Sequence, residues 1–389
     1  MQKVYLDNAA TTQVRKEVIE RMQEALAQQY GNPSSTHSFG RSAKTAVEQA
    51  RKTIAKTLNA QPSEIIFTSG GTEADNMILR CAVRDLDVET IITSKIEHHA
   101  VLHTVEELEK EYGINVSYVD LDEFGSPDME HLEELLKKDD TKKLVSLMHV
   151  NNEIGNITDI NAVGELCKAN NALFHSDTVQ SIGHYSWDVQ AVHVDFMTAG
   201  AHKFHGPNGA GLLYANSPLM PDPIVHGAPH ENDRRAGTEN LAGIIGLAEA
   251  IVRFFPNPVF PMETLAPFAG MLIEMVDTTV GATFLGTRDS ANRLTNTVAF
   301  TVDGTDSIAL LSGLDMEGLC ASAGSACSSG SVTPSHVALA MGSPAAGANA
   351  LVRLSMGRET TGTDITAACE IIPRVVERCR SANKMGITR

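Results

Sequence analysis

Hydrophobic residues recur along this chain in two rhythms. From Val14 to Tyr30, and again from Phe39 to Leu58, apolar or small residues return every three or four positions, as on one face of a helix. In the second stretch Ala43, Ala46, Val47, Ala50, Ile54 and Leu58 form the stripe, and Gly31-Asn32-Pro33-Ser34-Ser35 makes the turn between the two helices. Short apolar runs of strand length then alternate with helical stretches. Glu64 to Thr68, Thr90 to Thr93, Val116 to Val119, Leu144 to Met148, Ala172 to His175, the run at Phe196 and Ala210 to Tyr214 read as strands. Ala74 to Val83, His99 to Tyr112, Asp128 to Lys138 and Ile160 to Asn170 read as helices between them. This alternation predicts a mainly parallel sheet covered on both faces, a three-layer α/β/α domain. In such sheets ligands sit beyond the carboxyl ends of the strands.

An apolar helix from Leu241 to Phe255 ends at Phe255-Pro256-Asn257-Pro258-Val259-Phe260-Pro261. That break sets a boundary between a large domain, 13–255, and a smaller α/β domain, 256–389. The smaller part contains strand-like Thr297 to Thr301 and Leu351 to Leu354, and a last helix from about Asp364 to Arg380. The opening segment to Thr12 is extended; its pattern suits either part, and residues 1–12 are assigned to the smaller one.

The 389 residues suffice for a substantial core, and 42% hydrophobic with 20% charged residues is ordinary for a soluble protein. A formal net charge of −17 argues against nucleic acid or an anionic membrane as partner. Met1 to Asp7 holds no signal-peptide core, and no apolar run approaches the ~20 residues of a membrane helix. Cysteines at 81, 167, 320, 327, 369 and 379 are scattered, with no Cys-x-x-Cys. A disulfide framework or Cys-rich zinc site is not expected, and a reduced, cytoplasmic setting is.

The chemistry gathers at the predicted strand ends. Lys203 follows the Phe196 strand within Thr198-Ala199-Gly200-Ala201-His202-Lys203, among residues too small to shield it. It is either a surface lysine or a Schiff-base nucleophile. Ser69-Gly70-Gly71-Thr72 opens a helix, either as a plain turn or as an anion seat with backbone N–H donors and the Thr72 hydroxyl. Asp177 lies just past the strand ending at His175, as an N-cap or as a carboxylate awaiting a cation. Pyridoxal 5′-phosphate (PLP) asks for this combination: a lysine, a carboxylate facing its ring nitrogen, and a seat for its phosphate. His98, after the Thr90 strand, suits stacking on a flat ring or proton transfer. No carboxylate or cysteine completes a ligand set around His98-His99 or His202 and His205, so no metal is expected. Ser322 to Ser331 has no apolar anchor and is expected to form an exposed, mobile loop. Its Cys327 is either incidental or an accessible nucleophile. Cys81, Cys167, Cys369 and Cys379 fall in helical patterns and read as packing residues, and Cys320 as structural.

Taken together, these motifs resemble the cysteine desulfurases (NifS/IscS type) of the class V aminotransferase group, which are fold-type I PLP enzymes. The runs that carry the likeness lie almost end to end: Tyr5-Leu6-Asp7-Asn8-Ala9-Ala10-Thr11-Thr12, Thr68-Ser69-Gly70-Gly71-Thr72-Glu73, Glu97-His98-His99, His149-Val150-Asn151-Asn152-Glu153, His175-Ser176-Asp177-Thr178-Val179-Gln180, Ala201-His202-Lys203, Arg235-Ala236-Gly237-Thr238, Ser325-Ala326-Cys327-Ser328 and Arg353-Leu354-Ser355. The resemblance implies that Lys203 binds PLP covalently and later moves the substrate's α-proton. It implies that Asp177 pairs with the ring nitrogen, Gln180 bonds the ring hydroxyl and His98 stacks on the ring face. Gly71, Thr72 and His202 would hold the phosphate, with Thr238 reaching in from the partner of a homodimer. Asn152 and Arg353 would orient L-cysteine, and Cys327 would take its sulfur as a persulfide, leaving L-alanine. The sulfur would pass to an acceptor such as an iron–sulfur scaffold protein, or into thiocofactor assembly. Selenocysteine lyase or PLP-dependent β-elimination is the enzymatic alternative, and a non-catalytic sulfur carrier or scaffold subunit the alternative of another class. Gly200 departs from the pattern, since the family usually has a serine there whose hydroxyl touches the phosphate. Asn208 replaces a basic residue, and Gly227 to Asp233 is a stiffer, more acidic form of a glycine-rich loop.

Overall fold

The computed structural model describes residues 3–254, 262–324, 333–384 and 386. The chain begins with β1 (Val4–Tyr5), α1 (Lys16–Gln28), α2 (Ser38–Leu58), β2 (Ile65–Thr68), α3 (Gly71–Arg84), β3 (Thr90–Ser94), α4 (His99–Tyr112) and β4 (Asn115–Val119). It continues through α5 (Met129–Lys137), β5 (Lys143–Ser146), α6 (Ile160–Ala169), β6 (Leu173–Asp177), β7 (Phe196–Gly200), β8 (Gly211–Ala215) and α7 (Leu241–Phe254). The last part comprises α8 (Met262–Thr278), β9 (Ala282–Leu285), β10 (Thr297–Val302), α9 (Ser307–Met316) and β11 (Leu319–Cys320). It closes with α10 (His336–Ala340), α11 (Ala345–Ala348), β12 (Leu351–Ser355) and α12 (Gly362–Lys384).

Seven strands form the main sheet in the order β2-β8-β7-β6-β5-β3-β4. β8 pairs antiparallel with both β2 and β7, and the remaining pairs are parallel. The pleat divides side chains between two apolar layers. Phe67, Ile92, Val145, Phe174, Met197 and Leu212 join the core beneath α2, α5, α6 and α7. Ile66, Ile91, Leu144, Phe196 and Leu213 join the core beneath α3 and α4. Strands buried on both faces lose their polar alternation, which is why they read as continuous apolar runs. The three-layer arrangement expected from the sequence is present.

The last part carries an antiparallel sheet, β12-β10-β9, with α12 packed on α8 and α9. The N-terminal segment threads into this part. β1 pairs with β11, Asp7 bridges Ser355, and Ser355 N–H donates to Leu6 O at 2.7 Å. The Pro-rich break at 255–261 lies outside the described residues.

Some boundaries differ from the sequence reading. α3 begins at Gly71, three residues before Ala74, because its first turn is polar and faces the cleft described below. β6 runs two residues past His175, since Ser176 and Asp177 stay paired with β7 although both are polar. Ser322 and Gly324 are buried, against the expectation of exposure. Ser322 exchanges backbone hydrogen bonds with Arg353, at 3.2 and 2.7 Å, which supply the anchor that the side chains lack. The helices α8 and α9 and the strands β9 and β11 had no counterpart in the pattern.

Candidate active site

One cleft collects the ends of five strands. Gly71 and Thr72 follow β2, His98 follows β3, Asn152 follows β5, Asp177 ends β6, and His202 and Lys203 follow β7. Ala9 and Ala10 close it from the N-terminal segment, and Arg353 reaches it from β12. The parallel sheet thus brings residues far apart in sequence to a common edge. Of the described residues that the sequence reading gave a catalytic, cofactor or substrate role, Thr238 alone does not line this cleft; it is exposed on its own chain. Cys327 lies outside the described residues.

Lys203 Nζ donates to Ala9 O at 2.6 Å and Ala10 O at 2.9 Å. It sits at the end of a short 3-10 turn, Ala201–Lys203, that leaves β7 through Gly200. Gly206 makes this turn possible, because a Cβ there would lie 2.8 Å from the Ala201 Cβ. Asp177 is buried, and its Oδ1 accepts from Val179 N–H at 2.9 Å. Burial, and then the neighbouring carboxylate of Asp75, push its carboxyl up to about 7. A cation placed against it would reverse that shift.

Imidazoles surround the lysine in neutral form. Burial and then Lys203 lower His98 to about 4, and the same two causes lower His202 to about 4. His98 caps α4, with Nδ1 accepting from Ala100 N–H at 3.1 Å, and this fixes its ring at the cleft wall. Gln180 Nε2 donates to Ala9 O at 2.9 Å. The Arg353 guanidinium is almost fully buried. It donates to Asn152 O at 2.7 Å and Gly324 O at 3.2 Å, and its Nη2 lies 3.2 Å from Asp7 Oδ1.

Asp75 escaped the sequence reading. It stands in α3, one turn inside Thr72, and lines the cleft. Thr198 Oγ1 donates to its Oδ1 at 2.8 Å, and His175 Nε2 lies 3.4 Å away. Burial pushes its carboxyl up to about 7 and lowers His175 to about 4. The available signal was a carboxylate on the apolar stripe of Ala74, Met77 and Ile78.

The residues present fit PLP. Asp177 is a buried carboxylate suited to a cationic ring nitrogen, and the buried Asn152 Oδ1 has no hydrogen-bond partner among the described residues. The first turn of α3 faces the cleft at Gly71 and Thr72, where orphan N–H groups and the helix dipole favour a phosphate. A side chain at Gly71 would strike Val179, its Cβ falling 2.4 Å from Val179 Cγ2.

Comparison with known proteins agrees with this geometry. The Aminotransferase class-V family matches residues 4–367, and the chain belongs to that family. Within it, a protein named cysteine desulfurase IscS from Clostridium botulinum is 42% identical over 385 residues, covering 98% of this chain and 96% of the relative. A solved NifS-like protein superposes with a TM-score of 0.86 at 33% identity, covering 97% of this chain and all of that one. A structure described as SspA in complex with cysteine reaches a TM-score of 0.78 at 31% identity, covering 92% of this chain and all of that one.

Proposed function

We propose that this chain is a PLP-dependent cysteine desulfurase, which removes sulfur from L-cysteine, releases L-alanine and keeps the sulfur as a persulfide on Cys327. The observation that carries this reading is the cleft itself, where Lys203, Asp177, His98 and the α3 N-terminus converge. The whole-length likeness to proteins named cysteine desulfurase supports the same reading.

Bound PLP supplies an electron sink beside the substrate's α-carbon. Lys203 would hold the cofactor and carry the substrate's α-proton. Asp177 would face the ring nitrogen as a carboxylate, and His98, kept neutral by burial, would pack on the ring face. Gln180 would donate to the ring hydroxyl, and Gly71, Thr72 and His202 would hold the phosphate. Arg353 and Asn152 orient the substrate carboxylate. Arg353 Nη1 is engaged by Asn152 O and Gly324 O, while its Nε has no hydrogen-bond partner among the described residues and is left for the substrate. In the transfer, the Cys327 thiolate attacks the substrate sulfur. An S–S bond forms, the substrate's carbon–sulfur bond breaks, and its β-carbon gains the proton that makes alanine.

The chain acts as a homodimer in the cytoplasm, and the exposure of Thr238 on its own subunit supports its reaching a neighbour's phosphate site. Residues 13–255 form the cofactor-binding domain, and residues 1–12 with 256–389 the smaller domain carrying the cysteine segment. The persulfide passes to an acceptor protein of the iron–sulfur scaffold kind. Among the described residues no helix is long and apolar enough to cross a membrane.

The test is to incubate the PLP-loaded protein with L-cysteine and a reductant and to measure alanine and sulfide beside Cys327→Ala and Lys203→Ala. Alanine and sulfide from the wild type, and neither from the variants, is the expected result. Pyruvate and ammonia in place of alanine would make the protein a β-eliminating lyase. Full turnover by Cys327→Ala would remove Cys327 as the sulfur acceptor.

A further inference from the structure

Glu153 follows Asn152 at the cleft and is fully buried. Its turn is fixed from below. Asn151 Oδ1 accepts from Glu153 N–H at 2.9 Å and Ile154 N–H at 3.0 Å, while Asn151 Nδ2 donates to Ile96 O at 2.8 Å. The carboxylate then points at two residues remote in sequence. Ser335 Oγ donates to Glu153 Oε2 at 2.5 Å. Gly324 packs flat on the same oxygen, so closely that a Cβ there would stand 2.1 Å from Oε2 and 2.5 Å from the carboxyl carbon.

Gly324 and Ser335 are neighbours of the ends of the segment that contains Cys327. Each also has a second tie. Gly324 O accepts from Arg353, whose Nη1 also donates to Asn152 O. Ser335 Oγ caps α10 by accepting from Ala338 N–H at 3.1 Å, and the adjacent His336 Nε2 lies 2.9 Å from Glu97 O, beside His98. One carboxylate therefore links both flanks of the cysteine segment to the cleft residues Asn152 and Arg353. Burying a carboxylate is costly, and the second oxygen of this one, Oε1, has no hydrogen-bond partner among the described residues and lies 3.9 Å from His336 Nδ1. A leucine or methionine would fill the volume without that cost, but could neither accept the Ser335 hydrogen bond nor leave Gly324 a flat seat.

We infer that Glu153 is a positioning residue for the sulfur-transfer step, holding Gly324 and Ser335 in register with the cleft. This rests on the reading of Cys327 as the sulfur acceptor. The proposal separates two stages of the reaction: substrate binding at the cleft does not need Glu153, and transfer to Cys327 does.

The experiment uses PLP-loaded Glu153→Ala, Glu153→Gln and Ser335→Ala in single turnovers with L-cysteine. The cofactor absorbance reports substrate binding, and mass spectrometry of the alkylated Cys327 peptide reports persulfide. Glu153→Ala is expected to keep the absorbance change while slowing persulfide formation about tenfold, the scale of one lost buried hydrogen bond. Glu153→Gln retains an acceptor for Ser335 and is expected to restore the rate to within about threefold. Hydrogen exchange should rise at 322–324 and 333–340 in Glu153→Ala and stay unchanged in α3. Should Glu153→Ala not fold, Ser335→Ala and Gly324→Ala carry the test, each slowing persulfide formation with the cofactor band intact. Wild-type transfer in Glu153→Ala, or in both substitutes, overturns the proposal, as does equal slowing by Glu153→Ala and Glu153→Gln. Cys327→Ala run beside them isolates the underlying reading, since its full turnover would refute the acceptor assignment whatever Glu153 does.

Discussion

Gly200 ends β7 in extended backbone, with φ −126° and ψ 121°, immediately before the turn that bears Lys203. A Cβ at this position would stand 3.6 Å from Gly71 N and 3.6 Å from His202 Cδ2, ordinary contact on both sides. A serine therefore fits without strain and places a hydroxyl beside the phosphate seat at the head of α3. Gly200→Ser is expected to tighten PLP binding about fivefold, the worth of one net hydrogen bond of ~1 kcal/mol. Titration of cofactor-free protein followed by absorbance measures it, and Gly200→Ala, which lacks the hydroxyl, should show no gain. At this scale Lys203, Asp177 and His98 were legible because each is a chemistry-bearing residue just past an apolar run. Asp75 was not, because its partners Thr198 and His175 come from strands a hundred or more residues away in sequence, and only the pairing of β6 with β7 puts them together.

Among the elements, β2 poses the plainest problem, as an edge strand with unpaired backbone groups on its outer side. The structure covers it with a buried ion pair. Arg51 of α2 donates to both oxygens of Glu231 at 2.8 Å and to Ile65 O at 2.6 Å, and Phe67 N–H donates to Glu231 Oε2 at 2.8 Å. Glu231 reaches β2 from a run of three left-handed residues, Glu231, Asn232 and Asp233, with φ of 49°, 54° and 64°. The acidity noted in this loop is thus partly structural. Glu231→Ala removes the two-pronged partner of a buried guanidinium, which keeps Glu48 Oε1 at 3.3 Å, and is expected to cost about 3 kcal/mol, read as a lower midpoint in urea unfolding. Asp233→Gly, at an exposed position with φ 64°, relieves backbone strain and should leave the midpoint equal or higher. The strands and helices of the main sheet were readable because both faces are buried and their runs are long. α8 was harder, since it carries Pro267 inside the helix, where pattern alone signals a break, whereas the periodicity of α12 was long enough to be read through its own Pro373.

The whole molecule keeps an unusual number of titratable groups in its interior. Burial pushes Asp75 and Asp177 up to about 7 and Glu97 up to about 8. A carboxyl raised above its unfolded value stabilises the fold fully only at low pH, and that contribution is lost as pH rises through the folded value. Cofactor-free protein is therefore expected to melt at a lower temperature at pH 8 than at pH 6.5. Asp75→Asn should reduce that loss. PLP, by setting a cation against Asp177, should reduce it further, and thermal melts of free and loaded protein at the two pH values measure both effects. On the acid side His98, His149, His175 and His202, each lowered to about 4 by burial, act the other way: their stabilisation is lost as pH falls from about 6.5. The architecture of this interior was legible as a fold class, whereas the seating of the N-terminal segment was not, because a short extended stretch carries no periodicity to say what it will pair with.

That segment has a consequence for how the protein is made. Residues 5–12 are synthesised long before β12, yet Asp7 bridges Ser355, and Asn8 Nδ2 donates to Ser355 O at 3.0 Å. The sheet that holds Asp177 and Lys203 is complete in sequence once β8 has emerged, while the wall formed by Ala9 and Ala10 lacks its support until β12 follows. Contacts between the two ends of a chain are the last to become available during synthesis. A nascent chain therefore passes through a stage in which the anchoring lysine is present but the cleft stands open on one side, and that stage ends only when β12 has been translated.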